Sequence, residues 1–286
     1  MKMFLKDNLI GIGHIGIRAD NAEETKKWYE NCFGLKVVEE ISLATNEGSV
    51  FIKFLAVGNI YLEIFELGGG MSKGIENHSL TPVKRPYGFY DYIAFYTSNL
   101  ERFAKRLTAK NIAVVEEPIE IRTWLGEEAG MPVGLTLSSI NGETVKVIQK
   151  PSKDKENKDL ICGFSHLCLI VSEIVKSKEY YKKLGFKEKY SFKNQLGEEI
   201  SFLELDNFLL ELRESFNRVG SNIQGKIDHL ALSVKDQEKS YSELKEAGFK
   251  MLVERPVYQA KVWGKGVYYF LIEGPDGEVI ELNRRV

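Results

Sequence analysis

The chain has 286 residues, 43% of them hydrophobic, and a formal net charge of -2 from 39 basic and 41 acidic side chains. That length suits two domains of ordinary size with buried cores, and the balanced charge excludes the basic footprint that phosphate binding needs, so no nucleic-acid partner is expected. No apolar run approaches the roughly 20 residues of a membrane span, which predicts no membrane partner and a cytoplasmic location, and three cysteines (Cys32, Cys162, Cys168) offer neither a disulfide framework nor a thiolate metal site.

The first predicted element is an apolar strand through Gly13-His14-Ile15. Ile15 and Ile17 alternate there with His14, Gly16 and Arg18, so the histidine faces away from the aliphatic side chains. Gly11-Ile12-Gly13-His14-Ile15-Gly16 matches the dinucleotide fingerprint letter for letter. Its glycines lie inside the strand, however, and the helix opens only near Asn21, so the match is coincidental. Asn21 with Glu24 forms a capping box, Trp28 and Tyr29 supply apolar surface, and Gly34 stands at the expected left-handed stop. A closing strand carries Leu62-Glu63-Ile64. Gly68-Gly69-Gly70 then opens a connection without periodicity that runs to Pro86 and holds His78, read as solvated.

The same order recurs three more times. Asp91-Tyr92-Ile93 opens the second unit, Ser98 with Glu101 signals its helix, Trp124 precedes its closing strand, and that strand carries Val145-Lys146-Val147. Lys150 to Asp159 is almost wholly polar, contains Pro151 and Ser152, and reads as a linker between a unit of residues 1–150 and one of residues 160–286. Ser165-His166-Leu167 opens the third unit, Leu184-Gly185-Phe186 ends its helix, and Leu210-Glu211-Leu212 closes it. Asp228-His229-Leu230, Ala247-Gly248-Phe249 and Ile280-Glu281-Leu282 take those places in the fourth, with Trp263 before the closing strand. Each repeat is one strand, one helix and about three further strands.

A histidine in the opening strand and a glutamate in the closing one thus recur in three of the four repeats. Alternation turns each glutamate away from its aliphatic neighbours, onto the face already assigned to histidine. A carboxylate between aliphatics is costly unless compensated, and a divalent ion shared by two repeats compensates it. Nitrogen and oxygen donors together suit zinc, nickel, cobalt, manganese or iron. Cys168 shares the histidine face and reads as a core thiol, while Trp124 and Trp263 either wall the site or fill core.

With these residues in place, the chain resembles the vicinal oxygen chelate superfamily, which includes glyoxalase I, methylmalonyl-CoA epimerase, bleomycin resistance proteins and extradiol dioxygenases. Gly274-Pro275-Asp276-Gly277-Glu278-Val279-Ile280-Glu281-Leu282 is the most specific segment of the resemblance. It implies an α+β fold of four βαβββ modules paired into two cup-shaped mixed-sheet domains, each cup built around one metal. Carried over by position, His166, Glu211, His229 and Glu281 form a complete ligand set within residues 160–286. Residues 1–150 keep His14 and Glu63 but place Tyr92 and Lys146 where a second pair would stand. If the first repeat pairs with the fourth instead, the complete set is His14, Glu63, His229 and Glu281; pairing of neighbours is preferred, because sequential units usually pack together. Four protein ligands resemble glyoxalase I and the epimerases rather than the dioxygenases. They imply a lyase or isomerase that moves a proton next to a chelated carbonyl or hydroxyl of a small molecule, with Glu211 or Glu281 as base. Arg213 and Asn283, two residues beyond those glutamates, face the same way and suit an anionic or polar substrate end. A metal-free small-molecule binder is the other reading the resemblance offers, and on either reading the protein is expected to be a monomer or homodimer.

Overall fold

Alternating aliphatic and polar residues favour strands, and the four opening stretches are all strands in the computed structural model, which describes residues 3–5, 7–45, 48–58, 60–68, 87–114, 116–120, 133–150, 160–194, 197–206, 208–215 and 226–286. The first repeat comprises β1 (Leu9–Arg18), α1 (Ala22–Phe33), β2 (Lys36–Thr45), β3 (Gly48–Val57) and β4 (Ile60–Gly68). The second comprises β5 (Phe89–Thr97), α2 (Leu100–Ala109), β6 (Glu116–Glu120), β7 (Val133–Ser138) and β8 (Thr144–Gln149). The third comprises β9 (Gly163–Val171), α3 (Ile174–Leu184), β10 (Lys187–Lys193), β11 (Glu199–Leu205) and β12 (Phe208–Glu214). The fourth adds one short strand: β13 (Ile227–Val234), α4 (Gln237–Glu246), β14 (Lys250–Met251), β15 (Val257–Gln259), β16 (Val267–Glu273) and β17 (Val279–Arg285).

Helix ends follow their signals with one shift. Asn21 caps α1 by accepting from the Glu24 N–H, and Gly34 ends it with φ 72°. For α2 the cap is Asn99, which accepts from the Arg102 N–H, one residue beyond the expected Ser98. Ser98 is engaged otherwise: its carbonyl accepts from the Gln149 side-chain amide at 2.6 Å. The linker residues 151–159, His78 and Trp124 lie outside the described residues. No helix among the described residues is long and apolar enough to cross a membrane.

Strand pairing departs from the association of neighbours. β1 runs antiparallel to β13, with Gly16 opposite His229, and parallel to β4, with Gly16 opposite Glu63. β13 in turn runs parallel to β17, with Ala231 opposite Glu281. The first repeat therefore builds its cup with the fourth. In the other cup β5 pairs antiparallel with β9, β8 lies parallel to β5, and β12 parallel to β9, so the second repeat joins the third. The two cups meet at Ile227 opposite Tyr90, where the Tyr90 hydroxyl also donates to the Val279 carbonyl at 3.0 Å.

Neighbouring repeats do pack together, but back to back. Phe33 of α1 lies 5.3 Å from Phe95 and 5.7 Å from Phe103 of the second repeat, measured between ring centres. A repeat has two surfaces to cover, its helix-bearing apolar face and the free edge of its first strand. The apolar face goes to the neighbour, where Ile15, Ile17, Leu62, Leu230 and Ile280 are wholly buried in one core. The strand edge goes to the repeat from the other half of the chain. Cups of neighbours, and with them a ligand set complete within residues 160–286, are not formed.

The back-to-back contact repeats one device. Tyr29 of α1 donates to Glu143, before β8, at 2.8 Å, and Tyr181 of α3 donates to Glu278, before β17, at 3.0 Å. Burial pushes the Glu278 carboxyl up from 4.5 to about 7, outweighing the Tyr181 and Asp276 donors that favour its ionised form. An acid whose folded-state pKa is raised contributes stability in full below about 4.5 and loses it as pH rises towards about 7. Glu278→Gln is therefore expected to gain about 2–3 kcal/mol over the parent between pH 5 and pH 8, read by urea unfolding at both pH values. A stability difference that does not change between them would contradict this account.

Candidate metal centre

Four side chains project from adjacent strands into the cup of the first and fourth repeats: His14 from β1, Glu63 from β4, His229 from β13 and Glu281 from β17. Glu63 and Glu281 lie between aliphatics that face the core, and His14 and His229 each precede one, so strand alternation turns all four inward. The His14 and His229 Nε2 atoms are 3.0 Å apart, and Glu63 Oε2 is 3.0 Å from the first and 3.3 Å from the second. Ligand atoms of His14, Glu63 and His229 all fall within 4.8 Å of one another, the spacing of groups that could share one ion. Glu281 stands slightly back, its oxygens 3.7 Å from His14 Nε2 and 3.9 Å from His229 Nε2.

The surrounding residues fix these donors. Asp228 Oδ2 lies 2.8 Å from His229 Nδ1 and takes its N–H, which fixes the ring with Nε2 aimed at Glu63 and His14. Asn283 donates from Nδ2 to Glu281 Oε1 at 2.8 Å and is itself held by the Ser233 hydroxyl at 2.9 Å. Burial acts to raise the pKa of Glu63, yet the two imidazoles outweigh it and hold the carboxyl well below its usual range. Burial likewise opposes charge on His229, and Asp228 and Glu63 reverse it, so that imidazole stays well above its ordinary value. Buried oxygen and nitrogen groups that converge on one point, with carboxylates to balance the charge, suit a divalent cation, whose binding would displace the proton from imidazole nitrogen.

The glycines of β1 have a steric purpose here. A Cβ on Gly16 would lie 2.2 Å from His229 Cε1, and one on Gly13 would lie 2.8 Å from Ser233 Oγ. The Gly-x-Gly-x-x-Gly resemblance to a dinucleotide fingerprint thus arises from a strand that must let facing side chains lie flat on its backbone. Gly16→Ala is expected to displace the His229 ring and weaken metal binding by roughly 10- to 100-fold, the scale of losing an outer-shell support, as read by competition with a chelator. Unchanged affinity would show that the ring tolerates the shift.

The other cup brings together Tyr92, Lys146, His166, Glu211 and Arg213. His166 Nε2 is 3.1 Å from Glu211 Oε2 and 3.2 Å from the Tyr92 hydroxyl, which itself makes a short bond to Glu211. The Ser165 hydroxyl is 3.0 Å from His166 Nδ1. Arg213 contacts Glu211 Oε1 twice, at 2.7 and 3.2 Å. Lys146 Nζ sits 3.9 Å from the centre of the Tyr92 ring. Burial would raise the Glu211 carboxyl, but Arg213 first and His166 next hold it well below the ordinary range. Protein cations thus neutralise Glu211. The structure does not bring His166 and Glu211 to His229 and Glu281, and it places Glu211 and Arg213 away from the cavity that holds Glu281 and Asn283. Cys168 pairs in register with Glu211 inside this second cup, fully buried, and burial pushes its thiol well up.

The first cup encloses a cavity of about 390 Å³ lined by His14, Glu63, His229, Glu281, Asn283 and Trp263 among others. Trp263 walls it, its ring centre 4.6 Å from that of Phe54. A profile of the Glyoxalase/Bleomycin resistance protein/Dioxygenase superfamily matches residues 11–127 and 163–282. The chain belongs to that superfamily. Its fold is that of solved members: glyoxalase I from Zea mays superposes with a TM-score of 0.72 at 20% identity, over 98% of this chain and 94% of that one. A putative dioxygenase from Bacillus subtilis subsp. subtilis str. 168 superposes with a TM-score of 0.69 at 12% identity, over 99% and 86%. No curated protein sequence matches the chain. Superfamily membership accounts for the α+β cups, and the His14, Glu63 and His229 cluster is where a metal could sit in this member.

Two contributors to this site are not apparent from the recurring histidines and glutamates. Asp228 directly precedes His229, as Asp91 precedes Tyr92, so its position was visible although its role was not. Arg285 lies four residues beyond Glu281, on the same face of β17 by alternation.

Proposed function

We propose that the cup of the first and fourth repeats holds one divalent cation on His14, Glu63, His229 and Glu281, and that the protein is a glyoxalase-type lyase or isomerase. Its reaction would move a proton at a carbon next to a carbonyl or hydroxyl of a small molecule. The observation that carries this reading is the convergence of two imidazoles and a carboxylate in a buried cavity, with a second carboxylate 3.7 and 3.9 Å from those imidazoles. When bound, the cation supplies Lewis acidity, stabilising negative charge on neighbouring substrate oxygens.

The remaining work belongs to the chain. Glu281, the ligand held furthest from the imidazoles, takes the proton on one oxygen while Asn283 holds the other in place. Apolar walls keep water from the carbon that gives up the proton and strengthen every charge interaction within the cup. A fourth protein donor argues against oxygen activation, and a metal-free binder would have no need of converging, oriented donors.

The test combines metal analysis of protein purified without chelator with proton exchange from an α-hydroxyketone such as 2-hydroxyacetophenone in heavy water, followed by NMR. Glu281→Gln is expected to slow exchange by roughly 10²- to 10⁴-fold, the usual share of a positioned base. Metal-free parent protein, or undiminished exchange in the variant, would reject the proposal.

A further inference from the structure

The metal cavity has an asymmetric lining that points to the shape of its ligand. Beyond the four proposed metal ligands its walls are chiefly aliphatic and aromatic, with Leu43, Val50, Ile52, Phe65, Val257 and Val262 facing in. The polar residues near its floor are already engaged: Asp228 with His229, and Asn283 with Glu281 and Ser233. At the mouth stands Arg285, whose guanidinium lies 3.5 Å above the centre of the Trp263 ring and 4.7 Å from that of Tyr61. Among the described residues no carboxylate forms an ion pair with it.

The platform under Arg285 is built rather than incidental. Trp263 has φ 55°, in the left-handed region that a bulky side chain occupies at a cost of about 1–2 kcal/mol. Two contacts hold it there. Its N–H donates to Glu39 of β2 at 3.0 Å, and its ring packs between Phe54 and Tyr61 at 4.6 and 4.9 Å. A guanidinium stacked on aromatic faces keeps its N–H edges free for an oxyanion, and its charge is not cancelled by a neighbour. Glu281, Asn283 and Arg285 all face the cavity from one side of β17. Four residues of strand separate the first from the last, about 13 Å.

We propose that Arg285 is the anion anchor of this cavity, and that its ligand is an apolar organic anion of one negative charge. The ligand's vicinal oxygens would lie at His14, Glu63, His229 and Glu281, its apolar body along the aliphatic walls, and its carboxylate or similar group roughly 13 Å away at Arg285. This deepens the metal-site reading and rests on it for the oxygen end only. The anion end is independent of any metal.

Two fluorescent probes of nearly equal shape separate charge from packing: the apolar anion 8-anilino-1-naphthalenesulfonate and its uncharged parent N-phenyl-1-naphthylamine. The chelator-treated full chain is expected to bind the anion about tenfold more tightly than Arg285→Gln does, with Arg285→Lys intermediate and the uncharged probe unaffected by either substitution. Val257→Trp narrows the mouth at an exposed position and is expected to weaken both probes. Equal binding of the anion by the parent and Arg285→Gln, equal loss of both probes in Arg285→Gln, or indifference of both to Val257→Trp would each overturn the assignment. Because the measurement needs no metal, its failure leaves the metal reading standing. A metal-free protein would likewise leave the anion result standing.

Discussion

His14→Ala is expected to strip the metal from the protein, whereas His166→Ala leaves it bound. Both histidines open a repeat and both face a glutamate, yet only His14 shares a cup with His229. His14 Nε2 stands 3.0 Å from Glu63, while His166 Nε2 stands 3.1 Å from Glu211 in a cup already supplied with Arg213 and Lys146. Loss of a direct ligand should exceed the roughly 10- to 100-fold weakening typical of losing an outer-shell partner. It also leaves Glu63 with one imidazole instead of two. The check is metal content by elemental analysis of both variants, with circular dichroism as the control for folding. Metal lost from His166→Ala and kept by His14→Ala would reverse the assignment of the cups.

Arg213→Met should cost about 3–5 kcal/mol of stability, the scale of breaking a buried ion pair from one side. The Glu211 side chain is only 3% exposed, and Arg213 contacts one of its oxygens at 2.7 and 3.2 Å. Without the guanidinium the carboxylate keeps Tyr92 and His166 as partners, which satisfies its lone pairs but leaves its charge poorly compensated. The double variant Glu211→Gln/Arg213→Met removes both charges and should recover most of the loss, because uncharged replacements of a buried pair are often near neutral. Urea unfolding of the parent, the single and the double variant measures this cycle. A single-variant loss below about 1 kcal/mol would show that Glu211 does not depend on Arg213. Metal content should not change in any of them, since the pair lies in the other cup.

Much of this architecture was legible from period-two alternation. Ile15 and Ile17 opposite His14, and Leu230 and Leu232 opposite His229, fixed which face each histidine takes, and the structure keeps those faces. Asn21 and Gly34 marked the ends of α1 because capping is a local matter of two or three residues. Which repeats share a cup was not legible in the same way. Both arrangements present the same four faces to a partner, and the choice between them depends on whether strand edges or helix-covered faces meet within each half of the chain. Here Phe33 against Phe103, together with Tyr29 donating to Glu143, commits the helix side to the neighbour and leaves β1 to find β13. Arg213 shows the difference: alternation predicts that it faces the same way as Glu211, as it does, but the cup it faces depends on the pairing of repeats. Arg285 needed the same alternation carried one step past Asn283.

The crossed pairing of repeats also constrains motion. Each cup takes one wall from residues 1–150 and the other from residues 160–286, along the β1–β13 and β5–β9 ladders. A hinge that swung one half of the chain from the other would have to break both ladders at once. Access to the cavity therefore lies at its rim, where Val257 is exposed, and not between the halves. The same geometry makes the two halves obligate companions, because neither one, produced separately, carries a whole set of donors.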